Sequence, residues 1–203
     1  MSYLLSIDQS LAKCAYVFWK DGKVVLKGVI RTGSSSAKTK SKGVEYFDTV
    51  DEQIDRICRD IEKELIKYEK DYVGQQMTEV PIVFEGLSFG SVGDATRNLA
   101  GLYFVMRNHF FYSGLSTFED MYTIAPTSLK AFARDYLPEE DRLTDGGKKV
   151  KMDKKLMVKA CLNSAGDDFL NGYNMSTGKD DLADAYFLGL KWLEENSESL
   201  VED

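Results

Sequence analysis

The chain alternates between two hydrophobic periods, and the switches between them outline its elements. Tyr3 to Asp8, Cys14 to Lys20 and Lys23 to Thr32 read as three strands, with Asp21-Gly22 as the hairpin turn between the last two. Gly33 to Gly43, rich in Ser, Lys and Gly, reads as a loop. Phe47, Val50, Ile54, Ile57, Ile61, Leu65 and Tyr68 then recur at steps of three and four, predicting an amphipathic helix with one apolar stripe. Val80 to Glu85, interrupted by Pro81, predicts a fourth strand, followed by a glycine-containing loop from Gly86 to Gly93. Asp94 is placed to cap a helix containing Ala95, Leu99, Leu102, Val105 and Met106, which Gly114 stops.

The second half continues the pattern. Met121 to Ala125 predicts a fifth strand, and Pro126-Thr127 opens a short helix through Leu137. Pro138 to Val150 is a polar, charged excursion, after which Asp153 caps a helix through Leu162. A terminal helix begins at Gly178 or Asp180 and carries Ala185, Tyr186, Leu188, Leu190, Trp192 and Leu193 as its apolar set. No internal repeat is present. The expectation is one α/β domain over residues 1–203, with a loop insertion at 138–150 and an acidic tail at 194–203.

Four acids stand out against this pattern. Asp8 and Glu85 each end an apolar, strand-like run, and Asp181 and Asp184 lie three apart on one face of the terminal helix. Each has an ordinary explanation by itself: Asp8 as a turn cap, Asp181 or Asp180 as a charge favouring a helix N-terminus. Glu85 after Pro-Ile-Val-Phe is harder to explain, because central parallel strands are covered on both faces. Asp184 lies a turn into the helix, where the dipole argument fades. Together the four make sense around a divalent cation, which takes oxygen ligands and reverses the local charge logic. That points to metal-assisted phosphodiester chemistry.

Charge modifies this picture. The net charge of −7 argues against a nucleic-acid partner until its distribution is considered. Six lysines and one acid lie between Lys148 and Lys159, four bases and no acid between Arg31 and Lys42, and five acids and no base in the last ten residues. An acidic protein can still present a basic face to a phosphate backbone, although lysine clusters are also commonly just solvated loops. No apolar run approaches the roughly 18 residues of a membrane span. No signal-peptide pattern opens the chain, and the three cysteines, Cys14, Cys58 and Cys161, have no metal-type spacing. A reduced, cytoplasmic setting is expected.

The order of elements resembles the ribonuclease H-like folds, with a five-stranded mixed sheet of three antiparallel and two parallel strands. Five segments resemble RuvC-type Holliday junction resolvases more closely. Leu5-Ser6-Ile7-Asp8-Gln9-Ser10 resembles their opening strand, and Val83-Phe84-Glu85 with Phe89 resembles their second acidic segment. Asp181-Leu182-Ala183-Asp184-Ala185 is similar to their terminal D-x-x-D-A helix. Ala125-Pro126-Thr127-Ser128-Leu129-Lys130 and Asp153-Lys154-Lys155 resemble their basic segments. The resemblance runs from Leu4 to Trp192. Four departures suggest a divergent, phage-like relative: Gln9-Ser10-Leu11 where a glycine is usual, an aromatic four residues after Glu85, the long 138–150 excursion, and the extra acidic tail.

The resemblance implies a Mg²⁺-dependent endonuclease for branched DNA, Holliday junctions and forks included, which makes paired nicks leaving 5′-phosphates. It implies Asp8, Glu85, Asp181 and Asp184 as ligands of two Mg²⁺ ions about 4 Å apart, with Mn²⁺ as a substitute. Lys154 joins the catalytic set. Phe89, Lys130, Lys148, Lys149, Lys151, Lys154 and Lys155 are the expected DNA contacts, with Phe89 equally explicable as a core aromatic. Asp180 is expected to matter less than Asp181. Two symmetric cuts imply a homodimer, with the helix from Asp94 to Tyr112 and its Phe110 and Phe111 as candidate surface. A phage-encoded relative would work in the host cytoplasm. Rival readings are a catalytically silent branched-DNA-binding module, a nuclease for RNA or hybrids, and an actin-like ATP-binding domain. The last lacks a second glycine-rich phosphate loop. His109 reads as a packing or surface residue.

Overall fold

A computed structural model describes residues 2–87 and 93–196. One mixed sheet in the order β4-β3-β2-β1-β5-β6 organises them. β1 (Tyr3–Asp8), β2 (Lys13–Lys20) and β3 (Lys23–Ser34) form an antiparallel meander, and β5 (Ile82–Glu85) and β6 (Met121–Ile124) add parallel to β1. The sheet therefore has six strands, one more than the sequence pattern predicts. The extra one is β4 (Glu45–Phe47), three residues parallel to the end of β3, with Thr32 opposite Glu45. A strand this short cannot display the alternation that marks a strand in sequence, and Phe47 is in helical phase with Val50 and Ile54.

α1 (Val50–Tyr68) starts instead at Thr49, through a capping box: Thr49 Oγ1 accepts from the Glu52 N–H at 3.2 Å while the Glu52 carboxylate accepts from Thr49 N–H at 3.0 Å. Its stripe of Ile54, Ile57, Ile61 and Leu65 packs on one sheet face with Leu5, Ile7 and Phe84, joined by Leu102, Met106 and Phe110 of α2 (Asp94–Tyr112). Phe110 is thus core, whereas Phe111 is exposed and stacks on Phe118 at 4.3 Å. Asp94 is the first helical residue of α2 rather than its cap, which is Gly93. His109 reaches across to Glu62 of α1 at 3.2 Å, a packing role.

The other sheet face carries α3 (Pro126–Arg134), α5 (Lys154–Ala165) and α6 (Lys179–Glu195) over Leu4, Val17, Trp19 and Val83. The 138–150 excursion folds into a short helix, α4 (Glu139–Arg142), and a Leu143–Lys149 bridge. Residues 194–196 of the acidic tail continue or end α6, and 197–203 lie outside the described residues. α6 lies directly across β1, β2 and β5. Gly189 makes this closeness feasible, since a Cβ there would come within 2.3 Å of Trp19 Nε1 and 2.7 Å of Ser6 Oγ. Ser6 itself is fully buried and satisfied, accepting from Trp19 Nε1 at 3.0 Å. Among the described residues, no helix is long and apolar enough to cross a membrane.

Candidate active site

β1 and β5 are adjacent, parallel and central, so their carboxyl ends point the same way; ligands of open α/β sheets gather at such ends. Ile7 pairs with Phe84, which sets Asp8 and Glu85 one residue further on, side by side at that edge. α6 brings the other acids. Its cap, Gly178, is left-handed at φ 99° and provides no side-chain cap, and the first turns of α6 hold Asp180, Asp181 and Asp184 against the sheet. The sequence-predicted acids therefore share one electrostatic environment, at the end of the sheet where α6 begins.

Burial and mutual repulsion dominate that environment. The Asp8 carboxyl is pushed well above its usual range, first by burial and then by Asp184, Glu85, Asp181 and Asp180. Asp184 is raised to about 8 by burial, and by Glu85 among its neighbours. Burial also raises Glu85, with Lys130 opposing. Asp181 is raised by burial and by Asp180, against the pull of Lys13. Acids that resist ionisation in this way, gathered at one strand edge, make this the candidate functional site of the molecule.

Two lysines partly answer the charge. Lys154, at the start of α5 behind the Asp153 cap, pairs with Asp180. Lys13 of β2 lies 3.3 Å from Asp181 Oδ2, 4.0 Å from Asp180 Oδ1, and donates to the Met175 carbonyl at 3.1 Å. Asp180 is only 2% exposed. Burial pushes its carboxyl up, yet the Lys154 hydrogen bond prevails and holds it below the usual range. Asp180 thus lies in the first turn of α6, where the sequence put it as a charge favouring a helix start, and is in addition buried against Lys154. Neither it nor Lys13 is marked by a motif: one is a second acid in an acidic helix start, the other a lysine at a strand end.

The third feature that motif reading missed is Gln9. Its amide donates to the Glu85 carbonyl at 2.5 Å and accepts from the Glu85 N–H at 3.1 Å, and the residue is 5% exposed. The sequence shows it only as a departure from an expected glycine.

The expected DNA contacts are more dispersed. Lys130 is exposed on α3 and acts on both Glu85 and Asp184 through its charge. Lys148, Lys149, Lys151 and Lys155 are exposed and form no ion pair among the described residues. Phe89 lies outside the described residues.

The donor set suits a hard divalent cation. Asp181 Oδ2 and Asp184 Oδ1 are buried oxygens without a hydrogen-bond partner, and the latter has no ion pair either, whereas the Asp180 carboxylate, whose Oδ1 is also unpartnered, is committed to Lys154 and Lys13. Among the described residues, no three or more His, Cys, Asp or Glu side chains lie close enough together to form a ready-made metal site. Mg²⁺ does not require one, because it keeps several waters and is commonly held by one or two carboxylates together with substrate phosphate.

No protein-family model and no curated protein matches this sequence. Solved structures do. Thermus thermophilus RuvC superposes with a TM-score of 0.57 at 12% identity, covering 95% of this chain and 96% of that one. The same protein in complex with a Holliday junction substrate gives 0.55 at 12% identity, covering 96% of both chains. The yeast mitochondrial Holliday junction resolvase Ydc2 gives 0.51 at 15% identity, covering 97% of this chain and 80% of that one. At such identities the likeness is one of architecture, and it extends over nearly the whole chain: the protein has the RuvC-type, ribonuclease H-like fold.

Proposed function

We propose that this protein is a divalent-cation-dependent endonuclease that cuts branched DNA, Holliday junctions and forks among them, by paired nicks leaving 5′-phosphates. The observation that carries the reading is the buried, mutually repelling acid cluster where the carboxyl ends of β1 and β5 meet the start of α6, on a fold shared with resolvases. Asp8, Glu85, Asp181 and Asp184 would hold Mg²⁺, or Mn²⁺ in its place. Such a cation supplies Lewis-acid polarisation of the phosphodiester and a water of lowered pKa. The chain's own groups supply orientation and charge. The β1–β5 ladder fixes Asp8 against Glu85, and α6 presents Asp181 and Asp184. Lys154 offers an ammonium beside the cluster, suited to a negatively charged phosphate, and Lys130 adds positive charge on the Glu85 side. Lys148, Lys149, Lys151 and Lys155, exposed and without ion pairs among the described residues, would meet the DNA backbone as solvated cations.

A homodimer is part of this reading, since two symmetric cuts need two sites. Phe104, Phe111 and Tyr112 of α2, together with Phe118, form an exposed aromatic surface that supports α2 as the contact. Sedimentation of the wild type and of Phe111→Asp should give a dimer and a monomer, respectively.

The deciding experiment is incubation with Mg²⁺ and labelled four-way junction, fork, linear duplex and RNA–DNA hybrid. Symmetric, religatable nicks in the junction are expected. Asp8→Asn and Glu85→Gln should lower the rate by at least about 100-fold while binding in EDTA is kept or tightened. Binding without nicking would make the protein a branched-DNA-binding module, and preferential cutting of hybrid would redirect it to RNA. Lys148, Lys149 and Lys151 replaced together by alanine should flatten the slope of log affinity against log salt by about two to three units. An unchanged slope would leave that segment a solvated loop and move the search to the bases between Arg31 and Lys42.

A further inference from the structure

The backbone ladder between β1 and β5 ends with Ile7 opposite Phe84, one residue short of the two acids it delivers. Beyond that point like-charged side chains repel, and nothing in the backbone pairing holds the strands together. Gln9 fills this gap. Its side-chain amide meets both polar groups of the Glu85 backbone, donating to the carbonyl at 2.5 Å and accepting from the N–H at 3.1 Å. It does the work of the next backbone rung. A neutral amide suits the position, since it adds no charge to the cluster and satisfies a donor and an acceptor at once.

The surroundings make the clamp rigid. On the other side of Glu85, the Gly86 N–H donates to the Ile124 carbonyl at 2.7 Å, so the end of β5 is held from both β1 and β6. The turn after Gln9 is tied to β3, where the Thr32 N–H donates to the Ala12 carbonyl at 3.3 Å and the Thr32 hydroxyl to that of Leu11. Asp8 therefore sits between a laddered residue and a clamped one.

We propose that Gln9 is a positioning residue: its amide locks the carboxyl ends of β1 and β5 so that Asp8 and Glu85 are held in one fixed arrangement, from which they can share a cation. This rests on the cation-dependent reading above. Groups that orient metal ligands typically matter by about 10–100-fold in metal affinity or activity when removed.

The test uses the full chain and two variants. Gln9→Met keeps length and removes the amide. Gln9→Glu keeps the shape, but as a carboxylate it loses the N–H donor. Mn²⁺ binding without DNA, by calorimetry or electron paramagnetic resonance, should weaken by about 10–100-fold in both. Single-turnover junction cleavage should fall at limiting Mn²⁺ and recover in part at high Mn²⁺. A merely structural role would lower the unfolding temperature and leave the affinity of the folded protein for Mn²⁺ unmoved. Should Gln9→Met fail to fold, Gln9→Glu decides. If the wild type binds Mn²⁺ through Asp8 and both Gln9 variants match it, the positioning role is overturned alone. If the wild type binds no Mn²⁺, or Asp8→Asn binds it equally well, the cation reading falls and the role of Gln9 with it.

Discussion

α1 and α6 lie against opposite faces of one sheet and obey opposite rules. α1 has a capping box, acids exposed in its first turn, an apolar stripe toward the sheet and charges toward water. Every local choice agrees with the fold. α6 has a left-handed glycine as its cap, no side-chain cap bond, and places Asp180, Asp181 and Asp184 against the sheet with raised or strongly paired carboxyls. Local rules broken at one place in an otherwise consistent chain are the mark of a site retained for its chemistry. α1 holds the sheet together. α6 is tolerated by it.

The sharpest way to break that comparison is cleavage. Asp181→Asn and Asp184→Asn on α6 should each lower the cleavage rate by at least about 100-fold. Asp180→Asn should stay within about tenfold of wild type, because it touches the cluster through Lys154 and Lys13 rather than as a proposed ligand. Quantified nicking of a labelled four-way junction checks this. An essential Asp180 beside a dispensable Asp181 would mean that the helix presents its acids in another register.

How much of this was legible in sequence follows the same division. α1, α5 and the order of elements along the chain were readable because period, caps and turn residues all agree. The strand β4 was not, being three residues long and continuous with helical spacing. Of the candidate site, Asp8 and Glu85 could be singled out because each ends an apolar run, and Asp181 and Asp184 through the resemblance of their segment to a D-x-x-D-A helix. Gln9, Lys13 and the burial of Asp180 could not, because their roles depend on contacts with Glu85, Asp181 and Lys154, which are distant in sequence or on another element. Sequence shows where chemistry violates patterning. It does not show what holds the violation in place.

Stability in chelator sharpens the comparison further, with a smaller effect. Asp8 and Asp184 have folded-state pKa values above the unfolded value of about 3.9, so the fold prefers them protonated. The associated stability is full below that unfolded value and is lost as pH rises through the folded one, about 8 for Asp184. Asp180 works in the opposite sense: its stabilisation is present above the unfolded value and lost as pH falls through its depressed folded one. In EDTA the wild type should therefore melt lower at about pH 9 than at about pH 6. Asp184→Asn should flatten that fall and raise Tm at the higher pH by about 2–4 °C for each kcal/mol of repulsion removed. Added Mg²⁺ should recover most of the loss in wild type and little in the variant. A wild-type Tm independent of pH across this range would contradict the burial and mutual repulsion on which the site is argued.

The smallest expected effect belongs to α1 and serves as the control. Thr49→Ala removes the hydroxyl that accepts from the Glu52 N–H and breaks the capping box, at a cost of about 1 kcal/mol. For a chain of this size that is a fall in Tm of about 2–4 °C. It should appear equally in EDTA and in Mg²⁺, because the cap lies in α1, outside the acid cluster. Junction cleavage below the melting range should be unchanged. So α1 variants should lose stability and keep activity, while Asp184→Asn in α6 should lose activity and gain stability when no cation is present. A Thr49→Ala protein that melts as wild type but cuts more slowly would end the division of labour between the two helices, since α1 would then be setting the geometry of the acids through the sheet between them.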